Sequence, residues 1–149
     1  MKSRPRGLAI DISSTVRRLS VSRARVRDAA VAALKAERAK DAMLSITFVG
    51  RATISELNRR FLGHHGATDV ISFGLGRAGK RGAVVGDIYI CPEIARENAR
   101  RQGVSAGEEV LRLVIHGTLH VLGRDHPTGA GRTESPMWLR QERILARVV

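Results

Sequence analysis

Apolar and polar positions alternate over four short stretches of the chain, and this period of two predicts β-strands. The stretches are residues 7–12, 43–49, 69–73 and 83–90, and most of them are rich in Val, Ile or Phe. Residues 74–82 hold four glycines and several basic side chains, which predicts a flexible connection between the last two strands.

Apolar residues three or four positions apart recur between and after these stretches, as expected for amphipathic helices. Residues 53–56 and 105–108 each have the Ser/Thr-x-x-Glu order of a capping box and are expected to begin helices. The five predicted helices cover residues 22–39, 53–61, 93–102, 105–122 and 135–147. Neither a repeat nor a linker interrupts this pattern, so the sequence predicts one α+β domain over residues 1–149.

The charge of the 149-residue chain is strongly positive, with 26 Lys and Arg against 14 Asp and Glu and a net charge of +12. Residues 1–60 alone hold fourteen basic and five acidic side chains. Such a field attracts polyanions, because each phosphate that Lys or Arg neutralises releases condensed counterions. The alternative explanation of this positive charge is a generally arginine-rich proteome, in which surface charge follows genome composition. Aromatic residues make up only 3% of the chain, which argues against a base-stacking surface.

Cysteine content and hydropathy exclude other classes of protein. The single cysteine, Cys91, excludes a disulfide framework and a zinc ribbon, and is typical of a reducing compartment. The longest apolar run, residues 29–34, is much shorter than the ~20 residues of a membrane span. We therefore expect no membrane partner.

The predicted helix over residues 105–122 is apolar on most of its circumference, which is typical of a buried helix. Steps of three, four and four residues place its polar side chains in one stripe: Glu109, Arg112, His116 and His120. The imidazoles of His116 and His120, at positions i and i+4, can reach one small ion. His126 follows just beyond Gly123, a residue that can turn the chain back at a helix end.

Residues 116–126 have the spacing H-x-x-x-H-x-x-G-x-x-H. Zinc favours neutral imidazole nitrogens, and three protein ligands plus a water form a catalytic site. The spacing predicts one zinc ion per chain, bound by His116, His120 and His126, rather than three independent histidines.

The same spacing occurs in metzincin metalloproteases, which need a Glu directly after the first histidine as general base. This chain has Gly117 there, so peptide hydrolysis by that route is disfavoured. A zinc-bound water, with its pKa lowered towards ~7, can instead attack a phosphodiester. Combined with the net charge of +12, this predicts nucleic acid as the substrate.

Residues 116–126 also resemble the signature of the YbeY family of rRNA maturation factors and metal-dependent endoribonucleases. The resemblance covers roughly residues 43–146 and includes residues 57–58, residues 68–73, residues 86–90, Met137 and Glu142. It implies an α+β fold with a small mixed sheet surrounded by helices, and one zinc held by the three histidines. It also implies cleavage of single-stranded RNA, in small-subunit rRNA maturation and ribosome quality control in the bacterial cytoplasm. Single-stranded rRNA and the small ribosomal subunit or its assembly factors would then be the partners.

Two positions depart from the pattern of the family. Its members commonly carry an Arg, thought to contact the RNA phosphate, where this chain has Leu62, and a tyrosine where it has Arg124. Either Arg59, Arg60 or Arg124 supplies the missing charge and binds substrate, or phosphate binding is weaker than in other members of the family.

Asp125, beside the ligand His126, has two alternative roles. Its carboxylate either orients an imidazole of the site from behind the ligands, which would assist catalysis, or caps the turn through the backbone. Glu142 either approaches the site or pairs with an Arg along its own helix.

Two other functions remain alternatives to a zinc-dependent endoribonuclease. One is a non-catalytic ribosome-assembly factor with a structural zinc site, an alternative that the Leu62 departure keeps open. The other is a metallohydrolase of another substrate class, including peptides, which Gly117 disfavours.

Overall fold

Strands and helices alternate over the first half of the chain in the computed structural model, which describes residues 7–78, 82–129 and 131–149. The elements are β1 (Leu8–Ser14), α1 (Arg23–Ala36), β2 (Ala42–Phe48), α2 (Arg51–Leu62), β3 (Val70–Arg77), β4 (Val84–Ile90), α3 (Pro92–Gln102), α4 (Ala106–Val121), a 3-10 turn (Arg132–Glu134) and α5 (Pro136–Val148). The α+β class predicted from the sequence is confirmed.

The four strands form one mixed sheet in the order β1-β2-β4-β3. Strands β1, β2 and β4 are parallel, with Ile12, Ile46 and Ile88 in register, and β3 runs antiparallel to β4. Helix α1 makes the crossover that two neighbouring parallel strands require. The antiparallel edge strand follows α2 and returns directly to β4.

The main core lies between one face of the sheet and helices α1, α4 and α5. Helix α4 is central to it, and twelve of its 16 residues are buried. A smaller apolar cluster joins Ile54 of α2 to Ile71 of β3 and to Cys91. Because Ile71 is paired with Tyr89, one position from the core residue Ile88, α2 covers the opposite face of the sheet.

Two predictions about local structure are wrong. Residues 53–56 do not begin a helix, since α2 starts at Arg51 with Gly50 as its N-cap, and Glu56 pairs with Arg59 instead. Residues 74–77, predicted as part of a flexible connection, continue β3, because pairing with β4 persists across an irregularity in register. Residues 79–81 of that connection lie outside the described residues.

Helix α4 begins as predicted. The Ser105 side chain accepts a hydrogen bond from the Glu108 N–H at 3.1 Å, which is the N-cap interaction expected of this residue. In the described part of the chain, no helix has the length and the apolar character needed to cross a membrane.

Candidate metal centre

The end of α4 brings the three predicted histidine ligands together. His116 and His120 lie one turn apart on this helix. The helix ends in a turn at Gly123, which has φ +95° and whose N–H donates to the His120 carbonyl at 2.9 Å. This left-handed conformation, which glycine adopts without strain, returns the chain so that His126 faces the other two rings.

The three imidazoles converge on one point. One ring nitrogen from each histidine lies within 4.8 Å of the other two. The Nε2 atoms of His116 and His120 are 3.1 Å apart, and the ring of His126 is centred 5.0 Å from both other rings. A cluster this tight can hold a single metal ion, and three imidazole nitrogens are a donor set typical of zinc and other transition metals.

Gln141 of α5 determines which nitrogen of His116 faces this point. Its Oε1 lies 2.6 Å from His116 Nδ1, while its Nε2 donates to the Glu142 carboxylate at 3.1 Å. Because an amide oxygen only accepts, Nδ1 must carry the proton. The Nε2 lone pair of His116 is therefore free and directed towards the other two rings. The sequence analysis missed Gln141, although it is a polar residue on the apolar face that also carries Met137 and Leu145.

His126 is held in the same way by its own backbone. Its Nδ1 donates to the Pro127 carbonyl at 2.9 Å, so its Nε2 lone pair is also available to an ion. Hydrogen bonds behind the ligands thus prepare two of the three imidazoles for metal binding.

Burial favours the neutral form of His116 and His120, which is the form that binds a metal. Burial lowers the pKa of His116 to about 4, despite the opposing hydrogen bond with Gln141. The pKa of His120 is also lowered, first by burial and then by the positive charges of His126 and Arg132.

The histidines open into a cavity of about 590 Å³, here called the metal-site cavity. Its walls include the end of the loop after α2, the start of β3 and the turn before α5. Leu62 and His64 line it, and so does Arg132, a residue that the sequence analysis did not single out.

Buried charges lie behind the metal-site cavity. Arg112 of α4 pairs with Glu109 at 2.8 Å and with Glu142 of α5 at 3.0 Å, and both carboxylates raise its pKa against the effect of burial. Burial raises the pKa of Glu109. Glu142 therefore pairs with an arginine, which was one of its two predicted alternatives, but the partner Arg112 belongs to α4 and not to its own helix. This ion pair connects α4 to α5 beside Gln141.

Asp125 lines the metal-site cavity and interacts with its own turn. Its Oδ1 accepts the His126 backbone N–H at 2.8 Å, which is the backbone interaction that the sequence analysis gave as one alternative. The Nδ1 atoms of His116 and His126 are bonded to Gln141 and Pro127. A role for Asp125 in orienting an imidazole stays a prediction.

The three arginines expected to bind substrate lie outside the walls of the metal-site cavity. Arg59 pairs with Glu56 on the exposed side of α2, and the Arg60 guanidinium lies 5.6 Å from the ring centre of Phe61. Arg124 pairs with Glu37 of the segment after α1. Their contact with substrate stays a prediction.

Gly117 faces the sheet. A Cβ atom at this position would lie 2.8 Å from Cγ2 of Ile88 on β4. A Glu at this position, as in a metzincin, would therefore collide with the core, and the described structure provides no space for that general base.

A buried helix and the turn after it bring three histidines to one open cavity of an α+β domain, an arrangement typical of metal-dependent hydrolases. The family model of endoribonuclease YbeY matches residues 11–149. The chain belongs to this family of endoribonucleases, and the resemblance seen in the sequence is confirmed.

Individual relatives agree with this assignment. An endoribonuclease YbeY of Beutenbergia cavernae is 46% identical over 92 residues, which are 57% of this chain and 61% of the relative. That of Chlorobaculum tepidum is 41% identical over 101 residues, 68% of this chain and 70% of the relative. The solution structure of a Thermotoga maritima protein superposes with a TM-score of 0.61 at 29% identity, covering 93% of this chain and 88% of that one. The chain matches somewhat less than two thirds of the first of these relatives.

Proposed function

We propose that the protein is a zinc-dependent endoribonuclease that cleaves single-stranded RNA in the maturation of small-subunit rRNA. The observation that carries this proposal is the convergence of His116, His120 and His126 on one point of an open cavity, in a chain that belongs to an endoribonuclease family. The unit we propose is a single domain over residues 1–149 that acts in the cytoplasm, with the small ribosomal subunit or its assembly factors as partners.

Each residue of the site has a part in this chemistry. His116, His120 and His126 would hold the ion through ring nitrogens, with Gln141 and the Pro127 carbonyl fixing two of the rings. When bound, zinc supplies a Lewis acid that polarises water and the phosphate. The neutral state of His116, with its pKa of about 4, keeps this ligand competent at and below neutral pH.

Arg132 and the packing around Gly117 favour a phosphodiester over a peptide. Arg132 lines the cavity together with Asp69 and Asp125, and its guanidinium would offer a cation to a scissile phosphate. The collision at Gly117 removes the position of the general base that metzincins use.

The first prediction joins metal content to RNA cleavage. Purified protein should contain about one zinc per chain, and H116A, H120A and H126A should each lose most of it, because one of three ligands is gone. Cleavage of a single-stranded RNA should stop with a chelator, return with zinc, and be absent from the three variants. His65 is an exposed histidine outside the walls of the metal-site cavity, so H65A is the matched control and should keep metal and activity.

Four results would contradict the proposal. Undiminished metal in all three variants would show that these histidines do not bind the metal. Cleavage without metal would show that the metal is not needed for the reaction. Stoichiometric metal without any RNA cleavage would favour the assembly factor with a structural zinc. Hydrolysis of casein by the parent protein would favour another substrate class.

A further inference from the structure

Arg132 lies where the metal-site cavity meets a second cavity. The 3-10 turn that begins with this residue connects the loop of His126 to α5. The second cavity, of about 280 Å³, shares Asp69, His116 and Arg132 with the first. A strand of RNA that crosses the metal centre from one cavity to the other must pass this guanidinium.

The guanidinium of Arg132 lacks an acceptor among the described residues. Its Nε is buried without a hydrogen-bond partner, and the side chain forms no ion pair in the described part of the chain. Arg112 and Arg124, by contrast, are paired with carboxylates. A buried donor without a partner costs free energy, which an anionic ligand would recover.

Packing holds this guanidinium in place before any ligand binds. Its Cζ lies 5.3 Å from the ring centre of Trp138, within the range of a cation–π interaction. The hydroxyl of Ser135 donates to the Arg132 carbonyl at 2.8 Å and fixes the turn. An arginine fixed in this way loses little side-chain entropy when it binds a phosphate with two parallel hydrogen bonds.

We propose that Arg132 binds the RNA phosphate at the metal centre and supplies the cation that is absent at Leu62. The residue is a substrate-binding group, distinct from Arg59, Arg60 and Arg124, and it positions the phosphodiester beside His116. This inference rests on the proposed function in taking RNA as the ligand, but it concerns binding and can be tested without turnover.

The test measures RNA affinity of the metal-loaded protein by fluorescence anisotropy. The probe is a labelled, 2′-O-methylated single-stranded RNA whose integrity is checked on a gel after each titration. R132A and R132Q should bind about ten-fold or more weakly, because a charge-assisted hydrogen bond is lost, and R132K should be intermediate. The slope of log affinity against log salt should shrink by about 0.7 in R132A, as for one phosphate contact on a single strand.

Two controls separate binding from structure. R147A removes the same charge from an exposed arginine in the last turn of α5 and should leave affinity unchanged. Trp138 is the only tryptophan of the chain and lies against Arg132, so its fluorescence should change when the parent protein binds RNA and not when R132Q is given the same RNA concentration.

Unchanged RNA affinity in folded R132A and R132Q would overturn the inference and leave Arg132 with a structural role only. Cleavage assays run in parallel keep the two proposals apart. RNA binding through Arg132 without cleavage by the parent would sustain this inference and defeat the proposed function. Cleavage by the parent with normal binding in both variants would do the reverse.

Discussion

The amide of Gln141 connects a side chain of α5 to the chemistry of α4. Its oxygen accepts a hydrogen bond from Nδ1 of His116, which leaves Nε2 as the only nitrogen of that ring able to bind an ion. The Glu142 carboxylate in turn fixes the orientation of the amide. Hydrogen bonds of this kind fix ring orientation and raise ligand basicity in metal sites.

Removing this acceptor should weaken the site without unfolding the protein. We expect Q141L to bind zinc about 10–100-fold more weakly than the parent, because His116 can then rotate and adopt the other tautomer. R143L places a leucine at an exposed position of the same helix, so it is the matched control and should retain the affinity of the parent. Competition with a chromophoric chelator measures both, and equal affinities for Q141L and the parent would show that the hydrogen bond is unimportant.

At the scale of elements, α4 lies close against β4 because glycines occupy the contact. A Cβ atom added to Gly117 of the helix would lie 2.8 Å from Cγ2 of Ile88. A Cβ atom added to Gly86 of the strand would lie 2.4 Å from Cγ1 of Val121. Such glycines mark places where two backbones approach closely. The close packing sets the depth of His116 and His120 in the molecule.

A methyl group added at this contact should lower the stability of the folded protein. G117A should lower the free energy of unfolding by about 1–2 kcal/mol, because overpacking outweighs the gain in helix propensity of up to ~1 kcal/mol. Urea unfolding measures the change. In the background of I88A, which removes most of the facing side chain, G117A should be neutral or stabilising. Equal changes in unfolding free energy in both backgrounds would show that Gly117 and Ile88 are not in close contact.

At the scale of the whole molecule, none of the basic residues described between positions 7 and 60 lines the metal-site cavity. The residues that line this cavity run from Leu62 to Arg132. Arginines of α1 instead donate to backbone carbonyls, as Arg23 does to Ile12 at 2.9 Å and Arg27 to Ile10 at 2.7 Å. Part of the excess positive charge thus stabilises the fold.

The neutral buried His116 should make the metal-free protein sensitive to acid. Its pKa is about 4 in the folded chain and 6.5 in the unfolded chain, so the unfolded state binds more protons between these values. Stability from this residue is therefore present above pH 6.5 and is lost as the pH falls towards 4. Lowering the pH from 7 to 4.5 should reduce the free energy of unfolding by about 2 kcal/mol through His116 alone.

Urea unfolding of chelator-treated protein at the two pH values measures this loss. H116Q lacks the titrating group, so its stability should fall by about 2 kcal/mol less than that of the parent over the same interval. The raised pKa of Glu109 contributes equally to both proteins and cancels in the comparison. An identical loss in parent and variant would show that His116 is not held neutral.

The metal ligands could be predicted from sequence because they are local. His116, His120 and His126 lie within eleven residues, on one helix and the turn that Gly123 ends, so the period of 3.6 and the conformation of glycine already bring them together. The strands and helices were predicted for the same reason. The errors at residues 53–56 and 74–77 arose where pairing or helix initiation overrode a local motif.

Gln141, Arg132 and the pairing of Arg124 were decided by tertiary structure alone. Gln141 is 25 residues from His116, and Glu37 is 87 residues from Arg124. No periodic pattern connects residues so far apart, because their meeting depends on how α1 and α5 pack against α4. The sequence by itself determined which three residues can bind a metal. Only the packing of the helices decided which nitrogen of His116 carries the proton and which arginine lies beside the metal-site cavity, since both depend on neighbours from other elements.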